Sequence, residues 1–238
     1  MLVLIHGFPL SREAWRNQIT EFGVRYRVLA PDLPGFGAVP PFHGPVTMAR
    51  YAEYVKRTID EAGAGRVVLA GHSMGGYIAL AFAQAYPDRL RGLVLVATRP
   101  GPDTPEAAAG RRSTAEKVRT GGTGGVIDSM APKMVADPAL VPEVKAMMAA
   151  ATPAGVIGAL EGMADRPDST DLLPTLDCPV WIVTGDADAL IPHTESERMA
   201  ALLPGSTLTL IPGAGHLVAY EQPDAFKVGL SRHLRRIG

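Results

Sequence analysis

Gly71-His72-Ser73-Met74-Gly75-Gly76 is the stretch whose reading decides the fold. A leucine- and valine-rich run, residues 66–70, precedes it, and a helical pattern over residues 75–86 follows. A serine placed in a sharp turn from strand to helix has a strained backbone and needs small near neighbours. Gly71, Gly75 and Gly76 supply that smallness. The turn lifts the hydroxyl above the sheet, near the positive end of the helix that follows. A G-x-S-x-G match alone carries little weight, and the strand-to-helix context is what gives it force. The bland alternative is a glycine-rich turn with an incidental serine.

Outward from this turn, short apolar runs alternate with amphipathic stretches. The runs cover residues 2–5, 26–30, 66–70, 92–97, 180–184 and 207–211. They are nearly continuous in apolar residues, as strands buried on both faces must be. Helical patterns cover 48–62, 75–86 and 194–202. This rhythm predicts an α/β fold with a mostly parallel sheet of about six strands flanked by helices. It stops between residues 98 and 176, where helical stretches at 142–151 and 155–163 lie among proline and glycine clusters. The expected organisation is a core of residues 1–97 and 177–238 with a helical cap, 98–176, inserted into it. The run Gly121-Gly122-Thr123-Gly124-Gly125 has no preceding strand and no following Gly-Lys-Ser/Thr, so it reads as a flexible connection rather than a phosphate loop.

Apolar residues make up 47% of the 238 residues, charged residues 20%, and the net charge is -1. That balance suits a globular domain with no basic stripe for nucleic acid. The single cysteine, Cys178, excludes an intrachain disulfide and a Cys-rich zinc site, and a reducing cytoplasm is the expected compartment. Cys178 precedes Pro179 at a strand start and reads as buried and inert. The apolar start reads as a strand rather than a signal peptide, and no apolar run is long enough to span a bilayer.

A serine hydroxyl needs a base within hydrogen-bond reach and an acid that orients the base. His193 lies at a helix start and His233 in a basic C-terminal helix expected to be exposed. His216 follows the last strand, in Pro212-Gly213-Ala214-Gly215-His216. Loops at the carboxyl ends of parallel strands are where such a sheet presents catalytic groups, so His216 is the expected base. The loop after residues 180–184 offers Asp186 and Asp188 as acids, and spacing alone leaves both open. One would orient the imidazole while the other ties the loop.

These motifs together resemble the α/β-hydrolase superfamily along nearly the whole chain. His6-Gly7-Phe8-Pro9 resembles its oxyanion-hole loop, Asp32-Leu33-Pro34-Gly35-Phe36-Gly37 the turn after the next strand, and Gly215-His216 its histidine loop. Gly185, Asp188 and Pro192 match its G-x-x-D-x-x-x-P acid loop, which favours Asp188. The resemblance implies a triad of Ser73, His216 and Asp188, with the backbone N–H groups of Phe8 and Met74 as oxyanion donors. The Phe8 and Met74 side chains would then line the pocket floor. His6 and His72 read as packing or hydrogen-bonding residues, and Asp32 as the tie of its own turn. The chain begins almost at the oxyanion strand, so the family's amino-terminal antiparallel pair is absent from this reading. That would leave residues 26–30 as a sheet edge, to be covered by the protein's own loops or by a twofold dimer, and the expected state is monomer or homodimer.

Within the superfamily the chain is similar to small bacterial carboxylesterases, 3-oxoadipate enol-lactonases and cofactor-free perhydrolases. The expected substrate is a small, mostly apolar ester, with no metal and no cofactor. Met130, Met134, Met147, Met148 and Met163 of the cap are either helix packing or an adaptable pocket wall, with Met130, Met134, Met147 and Met163 the residues expected in the pocket. Lactone hydrolysis would want a cation in the pocket, for which Arg111, Arg112, Arg119 and Arg166 are candidates, and perhydrolysis would use peroxide in place of water. A ligand sensor with little turnover is the reading from a different class.

Overall fold

A computed structural model describes all residues from Met1 to Gly238. Its centre is one six-stranded sheet in the order β2-β1-β3-β4-β5-β6. The strands are β1 (Leu2–Ile5), β2 (Val28–Leu29), β3 (Val67–His72), β4 (Leu90–Val96), β5 (Val180–Gly185) and β6 (Thr207–Ile211). Every pairing is parallel. All six apolar runs are therefore strands, and the sheet is the expected one.

Successive residues of a strand point to opposite faces, and here each face has its own apolar cluster. Val3, Ile5, Leu69, Leu93 and Ile182 join α2 (Met48–Glu61), α3 (Met74–Ala85) and α8 (His193–Leu202) on one face. Leu2, Leu4, Val68, Val94 and Val183 meet α1 (Arg16–Gly23), α9 (Val218–Glu221) and α10 (Pro223–Ile237) on the other. Helix α10 is not simply exposed, as its basic sequence suggested. Its spacing buries Phe226, Leu230, His233 and Leu234 along one side, and the His233 ring lies 6.3 Å from that of Trp181. The arginines occupy the other side.

Between β4 and β5 there is no strand. This segment holds α4 (Pro105–Gly121), α5 (Gly124–Met134), α6 (Val141–Met148) and α7 (Pro153–Ala164). The glycine cluster is the turn between α4 and α5, with Gly122 at φ 74° closing α4. Helices α4 and α7 share the apolar cluster of α2 and α3 through Ala115, Val118, Val156 and Leu160. Helices α5 and α6 form a third cluster with Leu10 and Leu217, on loops at the carboxyl end of the sheet, and with Tyr220 of α9. Strand β2 is the sheet edge and is shorter than its apolar run, two residues long. Arg27 beside it donates to the Ala62 carbonyl. No single helix is long and apolar enough to cross a membrane.

Candidate active site

Ser73 occupies the turn between β3 and α3 with φ 53° and ψ −115°, a region disfavoured for any residue with a Cβ. The turn is pinned on both sides: Ser73 N–H donates to the Val96 carbonyl at 2.9 Å, and the Thr98 hydroxyl donates to the Ser73 carbonyl at 2.9 Å. Close packing accounts for the flanking glycines. A Cβ on Gly71 would lie 2.2 Å from the Gly75 carbonyl oxygen, and one on Gly75 would lie 2.4 Å from that of Ile5.

Register brings the loop His6-Gly7-Phe8-Pro9 to the same place. Strands β1 and β3 pair with Ile5 opposite Gly71, so Phe8 and Met74, each three residues further on, leave the sheet side by side. Met74 opens α3, where N–H groups have no partner within the helix, and neither its N–H nor that of Phe8 donates to a backbone carbonyl.

The other half of the site comes from β5 and β6, paired with Gly185 opposite Ile211. His216 Nδ1–H donates to Asp188 Oδ2 at 2.8 Å. Asp188 Oδ1 accepts from Leu190 N–H at 2.8 Å and Ile191 N–H at 3.0 Å, so both oxygens are held. Burial alone would raise the Asp188 carboxyl, but the His216 imidazole and these N–H groups outweigh it and hold it below its usual value. His216 Nε2 is buried and makes no hydrogen bond. Asp186 is exposed and accepts from Gly213 N–H at 2.7 Å. The two aspartates thus divide as the sequence allowed, one on the imidazole and one tying the loop.

Two flanking groups hold the His216 loop. His72 Nε2–H donates to the His216 carbonyl at 2.9 Å, and the two rings lie 4.8 Å apart. Glu221 accepts from Gly215 N–H at 2.7 Å and from Ala136 N–H at 2.6 Å, which joins this loop to the segment after α5. Glu221 gave no signal in sequence, because its partners are all backbone groups. His6 is also structural, with Nε2 accepting from Leu33 N–H and Nδ1–H donating to the Gly7 carbonyl. Asp32 ties its own turn, accepting from Arg12 and Ala38 N–H. Cys178 is only partly buried, and burial raises its thiol.

Ser73 and His216 line one cavity of about 150 Å³, together with Phe8, Met130 and Met163. Larger cavities of about 580 and 420 Å³ contain none of Ser73, Asp188 and His216, so chemistry rather than size marks the site. Three expected pocket residues lie elsewhere. Met74 is wholly buried in the core beneath α3. Met134 and Met147, with Met148, fill the cluster between α5 and α6, which use their apolar faces on each other. Residues not foreseen in the wall are Tyr77, Arg99, Leu190 and Ile191, and Arg111 is there as well. Tyr77 lies one helical turn beyond Ser73, a spacing that marks a shared face.

Buried histidines make the fold sensitive to acid. Burial lowers His6 to about 4, His72 to about 3 (with the neighbouring His216 adding to the effect) and His233 to about 4. An unfolded histidine titrates near 6.5. Their stabilising contribution is therefore complete above that value and is lost as pH falls toward the folded values. Each costs on the order of 2 kcal/mol by pH 5. Urea unfolding is expected to show a midpoint that falls steadily from pH 7 to pH 5; a flat midpoint over that span would contradict the buried neutral state.

A model of the alpha/beta hydrolase family matches residues 2–227. A thermophilic esterase from Thermogutta terrifontis, solved with malate bound, is 42% identical with a TM-score of 0.96, covering 99% of this chain and 89% of that one. The pimeloyl-[acyl-carrier protein] methyl ester esterase of Edwardsiella ictaluri is 28% identical over 96% of this chain and 91% of its own. The enol-lactonase of Burkholderia xenovorans, at 22% identity and a TM-score of 0.90 over 98% of this chain and 90% of that one, shares the fold. With a family match over almost its whole length, and a sheet and turn built as that family's are, the chain belongs to the alpha/beta hydrolase family.

Proposed function

We propose that the protein is a serine hydrolase of small carboxylic esters, with Ser73 as nucleophile, His216 as general base and acid, and Asp188 as the group that orients His216. One observation carries this reading. His216, whose Nδ1–H is fixed on Asp188 and whose Nε2 is left without a partner, lines the same small cavity as the strained Ser73. In the reaction, His216 Nε2 takes the Ser73 proton as Oγ attacks the ester carbonyl. The N–H groups of Phe8 and Met74 receive the developing oxyanion. The alcohol leaves with the proton from His216, and water, activated by the same nitrogen, releases the acid. Asp188 stays ionised, as its lowered pKa favours, and stabilises the imidazolium. The esterase names of the relatives support this chemistry.

Residues 98–176 act in this reading as a cap that sets acyl preference, through Met130 and Met163 rather than the α5–α6 methionines. A dry cavity of about 150 Å³ in another protein admits a benzene ring, so short acyl groups are the expected substrates. A panel of esters of graded acyl length, beside a lactone panel and with Ser73→Ala as the blank, tests the reading. Ester turnover well above the blank is expected; silence on every ester would favour the sensor. In the same panel, Met163→Ala is expected to shift preference toward longer acyl chains by about tenfold, since one methylene in a pocket is worth about 1–3 kcal/mol. Met134→Ala is expected to keep the profile and lose about 2–5 kcal/mol of stability. The opposite pattern would remove the cap assignment.

A further inference from the structure

One wall of the Ser73 cavity is cationic. Arg99 and Arg111 line it, and both grip Asp103, whose side chain is fully buried. Arg166 joins the same carboxylate at 2.8 Å and is itself 3% exposed. Three guanidinium groups thus meet one carboxylate, a local excess of two positive charges. The other acid at this site, Asp188, is committed to His216. Burial alone would raise Asp103, but Arg111 and Arg166 hold it lowered, so it stays an anion.

The three arginines are not equivalent. Arg166 does not line the cavity and acts as a strut: it donates to the Met163 and Gly101 carbonyls and lies 4.1 Å over the Tyr77 ring, although its Nε, like that of Arg99, has no partner. Arg99 and Arg111 keep donors in hand. Arg99 bonds Asp103 through Nη2, and its Nε is buried with no partner. Arg111 bonds through Nε and Nη2, leaving Nη1. A clamp joining the β4 exit to α4 and α7 needs an acid and a cation, but not two further half-used guanidiniums facing the cavity. The Arg99 and Arg111 side chains are 30% and 24% exposed, so an anionic group in the cavity can reach them and offset the positive charge that Asp103 alone does not balance.

We propose that the substrate carries a free carboxylate in addition to its ester, and that Arg99 and Arg111 bind this carboxylate while Ser73 attacks the ester. This rests on the esterase reading above. A guanidinium fork matches a carboxylate in geometry as well as charge. The cavity volume limits such a substrate to a short half-ester, of succinate or glutarate size. The Ser73 Oγ–acyl bond forms, the ester C–O bond breaks, the alcohol departs with the proton carried by His216, and water then releases the acid. The carboxylate itself does not react.

The test compares kcat/KM for monomethyl succinate with that for its neutral amide, methyl succinamate. A second pair, acetoxyacetate and its amide, puts the carboxylate on the alcohol side. A charge-assisted bond corresponds to about 10- to 100-fold, so at least one charged ester is expected to lead its amide by that factor. Arg99→Gln and Arg111→Gln are expected to lower that ratio tenfold or more, and Arg112→Gln, on the surface with Asp165, to leave the ratio alone. A ratio near one in both pairs, or a ratio that survives both substitutions, overturns the proposal and leaves the cluster a clamp. The wild-type comparison needs no variant to fold. Calorimetric titration of succinate and succinamide into the intact protein reads the anion site without turnover, with only succinate expected to bind. Succinate binding without hydrolysis of any ester would sink the esterase reading and keep the anion site. Ester hydrolysis with neither charge preference nor succinate binding would do the reverse.

Discussion

Replacing Ser73 with alanine is expected to lower turnover on any accepted ester by about a million-fold, and His216→Ala by a similar factor, because triad members act as one unit. The two variants should differ in stability. Ser73 contributes its backbone to the turn: its N–H goes to Val96 and its carbonyl receives the Thr98 hydroxyl, and both bonds survive the substitution. The Ser73 variant should therefore melt close to the parent. His216→Ala removes a buried ring packed at a tilt beside His72 and takes the donor from Asp188 Oδ2. Losing a buried ring and one donor to a buried carboxylate costs about 2–5 kcal/mol, so that variant should be markedly less stable while still folded at low temperature. Steady-state rates and melting curves on both purified variants check this. Near-parental activity in either would remove it from the catalytic machinery.

Asp188→Asn is expected to lower kcat by about ten-thousand-fold, whereas Asp186→Asn should stay within about tenfold of the parent. An amide at position 188 can present the wrong partner to His216 Nδ1, favouring the wrong tautomer, and cannot stabilise the imidazolium. At position 186 the side chain is exposed and accepts one bond, from Gly213 N–H. The carbonyl of asparagine can accept that bond equally well. If the 186 change proved the more damaging, the acid would be wrongly placed.

Much of this site was legible in the chain because a parallel sheet reads out linearly. Most strands are nearly continuous apolar runs, and loops that carry functional groups follow strand ends. Ser73 and His216 could be singled out without knowing the pairings that bring them together, whereas spacing left Asp186 and Asp188 both open and only the family resemblance favoured Asp188. Strand β2 was over-extended at residues 26–30 because an apolar run cannot reveal how many of its residues find a partner; only Val28 and Leu29 pair with β1. The cap was harder. Helix α4, rich in alanine and charge, has only a weak apolar stripe, and its inward face is Ala108, Ala115 and Val118. Methionine content did not separate pocket from packing, since both environments take the same flexible side chain. Met130 and Met163 face the cavity while Met134 and Met147 face neighbouring helices.

The arginine cluster shows what sequence left open. Arg111 and Arg166 were named as possible cations, but their partner Asp103 and the contribution of Arg99 depend on the path from β4 into α4. A signal was present: Arg99 follows a strand end, and Asp103 stands four residues on. Arg112 and Arg119, also candidates, pair on the surface with Asp165 and with Glu116 and Glu161. Adjacent residues of one helix point in different directions, which separates Arg111 from Arg112.

Whether Ser73 carries the acyl group can be read by covalent trapping. The purified protein is exposed to a small p-nitrophenyl alkylphosphonate, an electrophile that stalls at the tetrahedral stage, and its intact mass and peptides are then measured. One adduct per chain is expected, on Ser73, with esterase activity lost in proportion and no adduct in Ser73→Ala or His216→Ala. Full modification at another residue, or undiminished turnover once Ser73 is modified, would rule out Ser73 as the nucleophile.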